Sequence, residues 1–154
     1  MDVLTGQKQV LRADILQDLG RSISPEVDIG QIEGAFVMAM GLWLTEELVY
    51  DAETGQLLTD RTWYCRPPGP KDIPIYFRLE LRRNSPNPVG VVSSKAMGEP
   101  PICMNASIYL ALKNAFLAAR VEAGAGDEWF ALNTPVTVEK PYLASLTSSD
   151  QFSY

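Results

Sequence analysis

Asp28-Ile29-Gly30-Gln31-Ile32-Glu33-Gly34-Ala35-Phe36-Val37 opens the stretch that decides the architecture. Continued through Ala39/Met40, Trp43 and Leu44, its apolar residues recur every three or four positions, the spacing of one buried helix face. That spacing predicts a helix from Asp28 to about Val49, with Asp28 as N-cap or first-turn acid. Gly30, Gly34 and Gly41 fall near one side of it, together with Met38. Each glycine costs a helix about 1 kcal/mol relative to alanine, so that side is expected to be closely approached, by a neighbouring backbone or by a bound cofactor.

Working outward, Met1-Asp2-Val3-Leu4 and Val10-Leu11-Arg12-Ala13-Asp14-Ile15-Leu16 flank a Thr5-Gly6 turn and read as a β-hairpin. Its first strand is very short, which suggests a piece of a longer protein. Downstream, Asp51 to Gly55 reads as a turn, and Pro67-Pro68-Gly69-Pro70 with Ile73-Pro74 cannot sustain a helix or a central strand. Ile75 to Leu81 alternates Ile75, Phe77, Leu79 and Leu81 against Tyr76, Arg78 and Glu80, the period of a strand with one buried face. Val89-Gly90-Val91-Val92 reads as a further short strand. Ile102, Ala106, Ile108/Tyr109, Leu112, Ala115/Phe116 and Ala119 predict a second long helix ending at Gly124-Ala125-Gly126. The fold class expected is α+β: two long buried helices with antiparallel strands. Residues 1–140 form its body and 141–154 a loosely ordered tail.

Composition narrows the chemistry. The 154 residues include no histidine, which removes imidazole acid–base catalysis, Ser-His-Asp triads and His-ligated zinc. Cys65 and Cys103, 38 residues apart, fit neither a metal knuckle nor a redox pair and read as reduced thiols of a cytoplasmic protein. No residue is therefore singled out as a metal ligand. The longest apolar run, Ala35 to Leu44, is ten residues against the ~20 that a bilayer span needs, so no membrane association is expected. Residues 1–60 carry three basic and eleven acidic side chains, residues 61–95 seven and two, and residues 96–154 three and six. Only the middle is basic. Arg61, Arg66, Lys71, Arg78, Arg82, Arg83 and Lys95 could form a solvated face or meet an anionic cofactor, whereas an overall pI near 4.6 argues against nucleic acid.

Ser93-Ser94-Lys95-Ala96-Met97-Gly98-Glu99-Pro100-Pro101 lies between a predicted strand and a predicted helix, where loops present reactive groups. Gly98 permits close backbone approach or a positive φ, Pro100 restricts Glu99 to extended geometry, and Pro101 suits a helix start. The product is a carboxylate on a stiff support, which partial desolvation would turn into a general base without histidine.

The stretch Asp28 to Val37 and the run Lys95-Ala96-Met97-Gly98-Glu99-Pro100-Pro101, with Ile73-Pro74 and Phe77-Arg78 between them, closely resemble the C-terminal molybdopterin-binding region of the xanthine dehydrogenase/aldehyde oxidase family of molybdenum hydroxylases. The resemblance runs from Leu11-Arg12-Ala13-Asp14-Ile15 to Thr134-Pro135-Val136-Thr137-Val138-Glu139-Lys140, and the Pro67 to Pro74 stretch and the Ser148-Ser149-Asp150-Gln151-Phe152 ending look most like invertebrate aldehyde oxidases. It implies part of a larger molybdopterin-binding domain in an oxidoreductase that hydroxylates aldehydes or N-heterocycles using water. Glu99 matches the catalytic base that acts toward the molybdenum-bound hydroxyl, and Met97 and Gly98 match the loop closing on the metal centre. Met38 stands where many members place a glutamine that hydrogen-bonds the cofactor, and Ala39 replaces a common glycine, so contact at Met38 is reduced to van der Waals packing. The resemblance further implies iron–sulfur clusters and FAD elsewhere in the full-length protein, a homodimer, and an inactive chain when residues 1–154 stand alone. A non-catalytic molybdopterin-binding or scaffold fragment of the same fold is the alternative.

Overall fold

The computed structural model describes residues 1–152. Its elements are β1 (Arg12–Gln17), α1 (Pro25–Leu44), β2 (Tyr76–Leu81), α2 (Glu99–Met104), α3 (Ala106–Glu122) and α4 (Glu139–Ser145), with short 3-10 turns at Val91–Ser93 and Ser149–Phe152. The described chain divides into two compact units: residues 10–39 with 68–106, and residues 1–9 with 40–67 and 107–152.

In the first unit, β1 and β2 pair from Arg12↔Tyr76 to Gln17↔Leu81, and they are parallel. The expected antiparallel arrangement is thereby corrected, and the N-terminal hairpin with it. Parallel strands need a crossover connection, and the segment holding α1 supplies it. The Thr5-Gly6 turn does form, closed by the Gly6 amide donating to the Asp2 carbonyl at 3.0 Å, but no strand precedes it. On β2 the alternation holds from Tyr76 onward, with Phe77, Leu79 and Leu81 half-buried between exposed Tyr76, Arg78 and Glu80, whereas Ile75, read as part of the buried face, precedes the strand and is exposed. The Phe77 ring meets Phe36 of α1 at 5.4 Å between centroids. Ile15, Leu19, Ile32, Phe36 and Pro101 are buried here.

Helix α1 begins at Pro25, a residue preorganised for a first turn, so Asp28 lies inside that turn, where its carboxylate accepts from the Ser22 hydroxyl. It stops at Leu44 rather than Val49. The amides of Thr45 and Glu46 both return to the Gly41 carbonyl, and Glu46-Glu47 place negative charge at the wrong end of the helix dipole. The twenty residues of α1, and Glu99–Glu122 taken together, are long and apolar enough to cross a bilayer, which the uninterrupted run Ala35 to Leu44 did not disclose. In α1 the apolar stripe Ile32, Phe36, Met40 and Leu44 is buried within the chain itself.

The predicted second long helix is two helices. They meet at Asn105, a fully buried residue whose Nδ2 donates to the Phe36 carbonyl at 2.7 Å. The predicted strand at Val89 to Val92 is likewise absent: Val91–Ser93 form a 3-10 turn in which Val92 (φ 52°) and Ser93 (φ 66°) are both left-handed, outside the extended region of a regular strand.

In the second unit, α3 buries Ile108, Leu112 and Phe116 and ends where Gly124 takes φ +83° and donates to the Val121 carbonyl at 3.0 Å. Trp43 stacks at 5.4 Å on Tyr109, whose hydroxyl donates to the Leu132 carbonyl at 2.9 Å. Within 141–152, Pro141 and Ser145 of α4 are buried, and Arg120 donates to the Ala144 carbonyl at 3.1 Å. The basic middle of the sequence is split between the units: Arg61 and Arg66 lie in the second, and Lys71, Arg78, Arg82, Arg83 and Lys95 in the first.

Candidate functional site

The loop that carries Glu99 is fastened at successive points to the segment that follows β1. Arg21 N donates to the Ser93 carbonyl at 2.8 Å and Lys95 N to the Leu19 carbonyl at 2.8 Å. Gly20 pairs with Ser94 across an isolated antiparallel bridge. Gly20 is required there on two counts: its φ is +64°, and a Cβ on it would lie 2.3 Å from the Ser93 carbonyl oxygen. Val92 and Ser93 each hold a left-handed conformation that costs a non-glycine residue of order 1–3 kcal/mol, more easily borne by serine than by a β-branched side chain. The surrounding bonds overdetermine it: Ser93 Oγ donates to the Asn87 carbonyl at 2.9 Å, and Asn87 Nδ2 to the Ser94 carbonyl at 2.9 Å.

Asp18 is the electrostatic centre of this attachment. Its Oδ2 lies 2.7 Å from Lys95 Nζ and 3.8 Å from an Arg82 guanidinium nitrogen, and its Oδ1 accepts from the Gly20 amide at 2.9 Å. The Lys95 hydrogen bond, followed by that from the Gly20 amide, holds the Asp18 carboxyl below the usual carboxylate range. Two members of the basic segment are thus engaged by one acid.

Gln17, the last residue of β1, is 4% exposed. Its Nε2 donates to the Met97 carbonyl at 2.9 Å, and its Oε1 is buried without a hydrogen-bond partner among the described residues. Beyond Met97 comes Gly98, whose φ of −83° and ψ of −41° are right-handed helical. The positive-φ reading of Gly98 is therefore excluded. A Cβ there would meet Gln31 Oε1 of α1 at 3.7 Å, ordinary contact, so this chain's own packing does not demand a glycine. Glu99 is drawn into α2 as its first residue instead of preceding it in extended form, and Pro100-Pro101 complete the first turn, where missing amide hydrogens cost nothing. The Glu99 side chain is exposed.

On α1, Gly30 and Gly34 are exposed, and among the described residues nothing lies within 4 Å of the Cβ each would carry, so no neighbouring backbone there accounts for them. Gly41 differs: it is buried. Met38 is 72% exposed and continues the Gly30–Gly34 face at four-residue spacing. Seven residues separate it from Gln31, roughly 10 Å of helical rise. The structure thus gathers Met97, Gly98 and Glu99 beside the Gln31 turn of α1, and Met38 stands further along.

Four residues of this arrangement were not singled out from the sequence: Gln17, Asp18, Gln31 and Asn105. Two carried a signal. Gln17 interrupts the inward series Ile15, Leu19 of a strand, and Asn105 interrupts the apolar series Pro101, Ile108, Leu112 of the helical stripe. A polar residue on an inward position is retained for a bond.

Among the described residues no three acidic or thiol groups converge as metal ligands. The resemblance implies instead a metal carried by an organic cofactor. The features present suit such a group: an uncovered glycine face along α1 and an exposed carboxylate on a tethered turn.

A molybdopterin cofactor-binding domain model matches residues 1–74. A xanthine dehydrogenase of Drosophila subobscura is 48% identical over 138 residues, covering 89% of this chain and 10% of the relative. The xanthine dehydrogenase of Dictyostelium discoideum is 42% identical over 140 residues, covering 91% and 10%. Among solved structures, quinoline 2-oxidoreductase from Pseudomonas putida 86 superposes with a TM-score of 0.73 at 28% identity, covering 89% of this chain and 16% of that one. The chain spans about a tenth of the length of the curated relatives it matches.

Proposed function

Because this chain is the counterpart of the molybdopterin-binding region of xanthine dehydrogenase-type oxidoreductases, we propose that it forms one wall of a molybdenum-cofactor site and contributes the general base of a water-dependent hydroxylation. The observation that carries this is the placement of Gly98-Glu99-Pro100-Pro101: an exposed carboxylate at the start of a proline-stiffened helix, on a loop tethered to β1, next to the Gln31 turn of α1.

When bound, the cofactor would supply the oxygen activation and the redox chemistry of the hydroxylation. The protein's share is positional. The Glu99 carboxylate accepts a proton at one of its oxygens, and its fixed backbone keeps those oxygens from wandering. Gly98 presents little bulk beside Met97 on the same turn, Gly30 and Gly34 leave room along α1, and Met38 offers a polarizable thioether for packing without a donor.

The proposed substrates are aldehydes or N-heterocycles, the second class supported by the likeness to a quinoline oxidoreductase. Iron–sulfur clusters, FAD, a homodimeric state and a cytoplasmic setting are proposed for the whole protein, the last supported by the free thiols of Cys65 and Cys103. Residues 1–154 alone are proposed to be inactive. Met38 and Ala39 favour the second reading, a scaffold that keeps the fold without turnover. Substituting Glu99→Gln in the complete enzyme separates the two. The variant is expected to lose about 10²- to 10⁴-fold in kcat while keeping its molybdenum content. Near-normal turnover would overturn the base assignment.

A further inference from the structure

We propose that Gln17 is a positioning residue: its side-chain amide sets the orientation of the Met97-Gly98-Glu99 turn through the Met97 carbonyl, and its role in turnover rests on the reading of Glu99 as base. Gln17 occupies the inward register of β1, between buried Ile15 and buried Leu19, where an aliphatic side chain would be the ordinary occupant. The amide is half-satisfied there. Nε2 donates to the Met97 carbonyl at 2.9 Å, across 80 residues of sequence, while Oε1 is buried with no partner among the described residues. A buried, unpartnered acceptor is unfavourable, so packing and hydrogen-bond satisfaction within this chain would both be better served by leucine or methionine. What glutamine adds is one directed bond, and its acceptor lies two residues before Glu99.

The other tethers do not replace it. Asp18 with Lys95 Nζ, and the Leu19 carbonyl with Lys95 N, fix the loop at Lys95; Asn105 fixes the far end of α2 to Phe36. Between those two points the Gln17 bond is the tether to another element nearest the carboxylate. Gly98 leaves the intervening backbone easy to turn, so the direction in which Glu99 emerges follows from where the Met97 carbonyl is held.

Gln17→Leu removes the bond and the orphaned oxygen at nearly constant volume. Two measurements on the complete enzyme test the proposal. Crystal structures of the variant, cofactor-free and cofactor-loaded alike, are expected to show the Met97 carbonyl displaced by about 1 Å or more and the Glu99 carboxylate redirected, with β2 and α1 unchanged and a thermal midpoint that is not lowered. Steady-state kinetics are expected to show kcat lowered about 10- to 100-fold with KM within about twofold, the pattern of a misdirected reacting group. An unmoved Met97 carbonyl would overturn the proposal. So would a displacement spread over β1, β2 and α1 with a lowered midpoint, or a raised KM at constant kcat. The base assignment fails separately: if Glu99→Gln is active, the position of the Met97 carbonyl in Gln17→Leu still reports the tether.

Discussion

Asn105 offers the sharpest test of how the Glu99 helix is held. It is fully buried, joins α2 to α3, and donates Nδ2 to the Phe36 carbonyl at 2.7 Å, while its Oδ1 has no partner among the described residues. In Asn105→Ala the lost bond costs about 1 kcal/mol, and the void left by the amide adds somewhat under 1 kcal/mol at about 24 cal/mol per Å³. Removing the orphaned Oδ1 returns about 1 kcal/mol, so the net destabilisation is about 1 kcal/mol. Asn105→Asp keeps the shape but turns the donor into an oxygen facing a carbonyl, and a buried uncompensated charge costs about 3–5 kcal/mol. The gap between the two variants is then about 2–4 kcal/mol, a difference in thermal midpoint of roughly 5–15 °C for a chain of this size. Desolvation raises the introduced carboxyl's folded pKa above its unfolded value of about 3.9. A group raised in this way adds stability below its unfolded pKa and loses it as pH rises through the folded one, so the aspartate variant should approach the alanine variant near pH 4 and fall away toward pH 7. Urea denaturation of both variants at several pH values reads this directly. Equal stabilities at pH 7, or a gap independent of pH, would refute a buried donor aimed at Phe36.

Two further predictions concern the attachment of the loop to β1. The Asp18 carboxyl is lowered by the Lys95 hydrogen bond and then by the Gly20 amide, so its stabilisation is present above about pH 3.9 and is lost as pH falls through the folded value. Thermal melts from pH 7 to pH 3 should therefore fall more steeply for the wild type than for Asp18→Asn, and parallel curves would contradict the contact. Gly20→Ala must accommodate φ +64° and a Cβ 2.3 Å from the Ser93 carbonyl oxygen, and should cost more than about 2 kcal/mol in denaturant titration. A loss below about 0.5 kcal/mol would show that the loop does not sit against the segment following β1 as described.

The parts of the fold that were legible are those whose signal is local. A 3.6-residue stripe showed α1 and most of α2–α3, and strict alternation showed β2 within one residue of its observed start. Strand direction is not local. The alternation of Ala13, Ile15 and Gln17 is the same for parallel and antiparallel neighbours, and only the pairing of Arg12 with Tyr76, across an intervening helix, settles it. The Thr5-Gly6 turn signal was sound as a turn, but a turn makes a hairpin only if both flanks find strand partners. Val89 to Val92 misled for another reason: β-branched residues favour extended backbone, and here tertiary hydrogen bonds from Asn87 and Arg21 outweigh that preference.

The same distinction explains the site. Gly98-Glu99-Pro100-Pro101 is contiguous, so the carboxylate and its stiff support are legible in the sequence alone. What aims the carboxylate is distributed: Gln17 and Asp18 bond to its loop from 80 and 77 residues away, and Asn105 reaches Phe36 across 69. Such bonds leave only a negative trace in a sequence, a polar residue where the period calls for an apolar one. Gln17 and Asn105 both carry that trace, and each retains one buried oxygen without a partner among the described residues. Were these amides present only to satisfy the interior, both ends would be paired, because an unpaired buried acceptor is unfavourable and an aliphatic side chain would avoid it. Their half-satisfied state is what residues kept for a single directed bond would show, and those bonds hold the turn before Glu99 and the end of the helix that Glu99 begins.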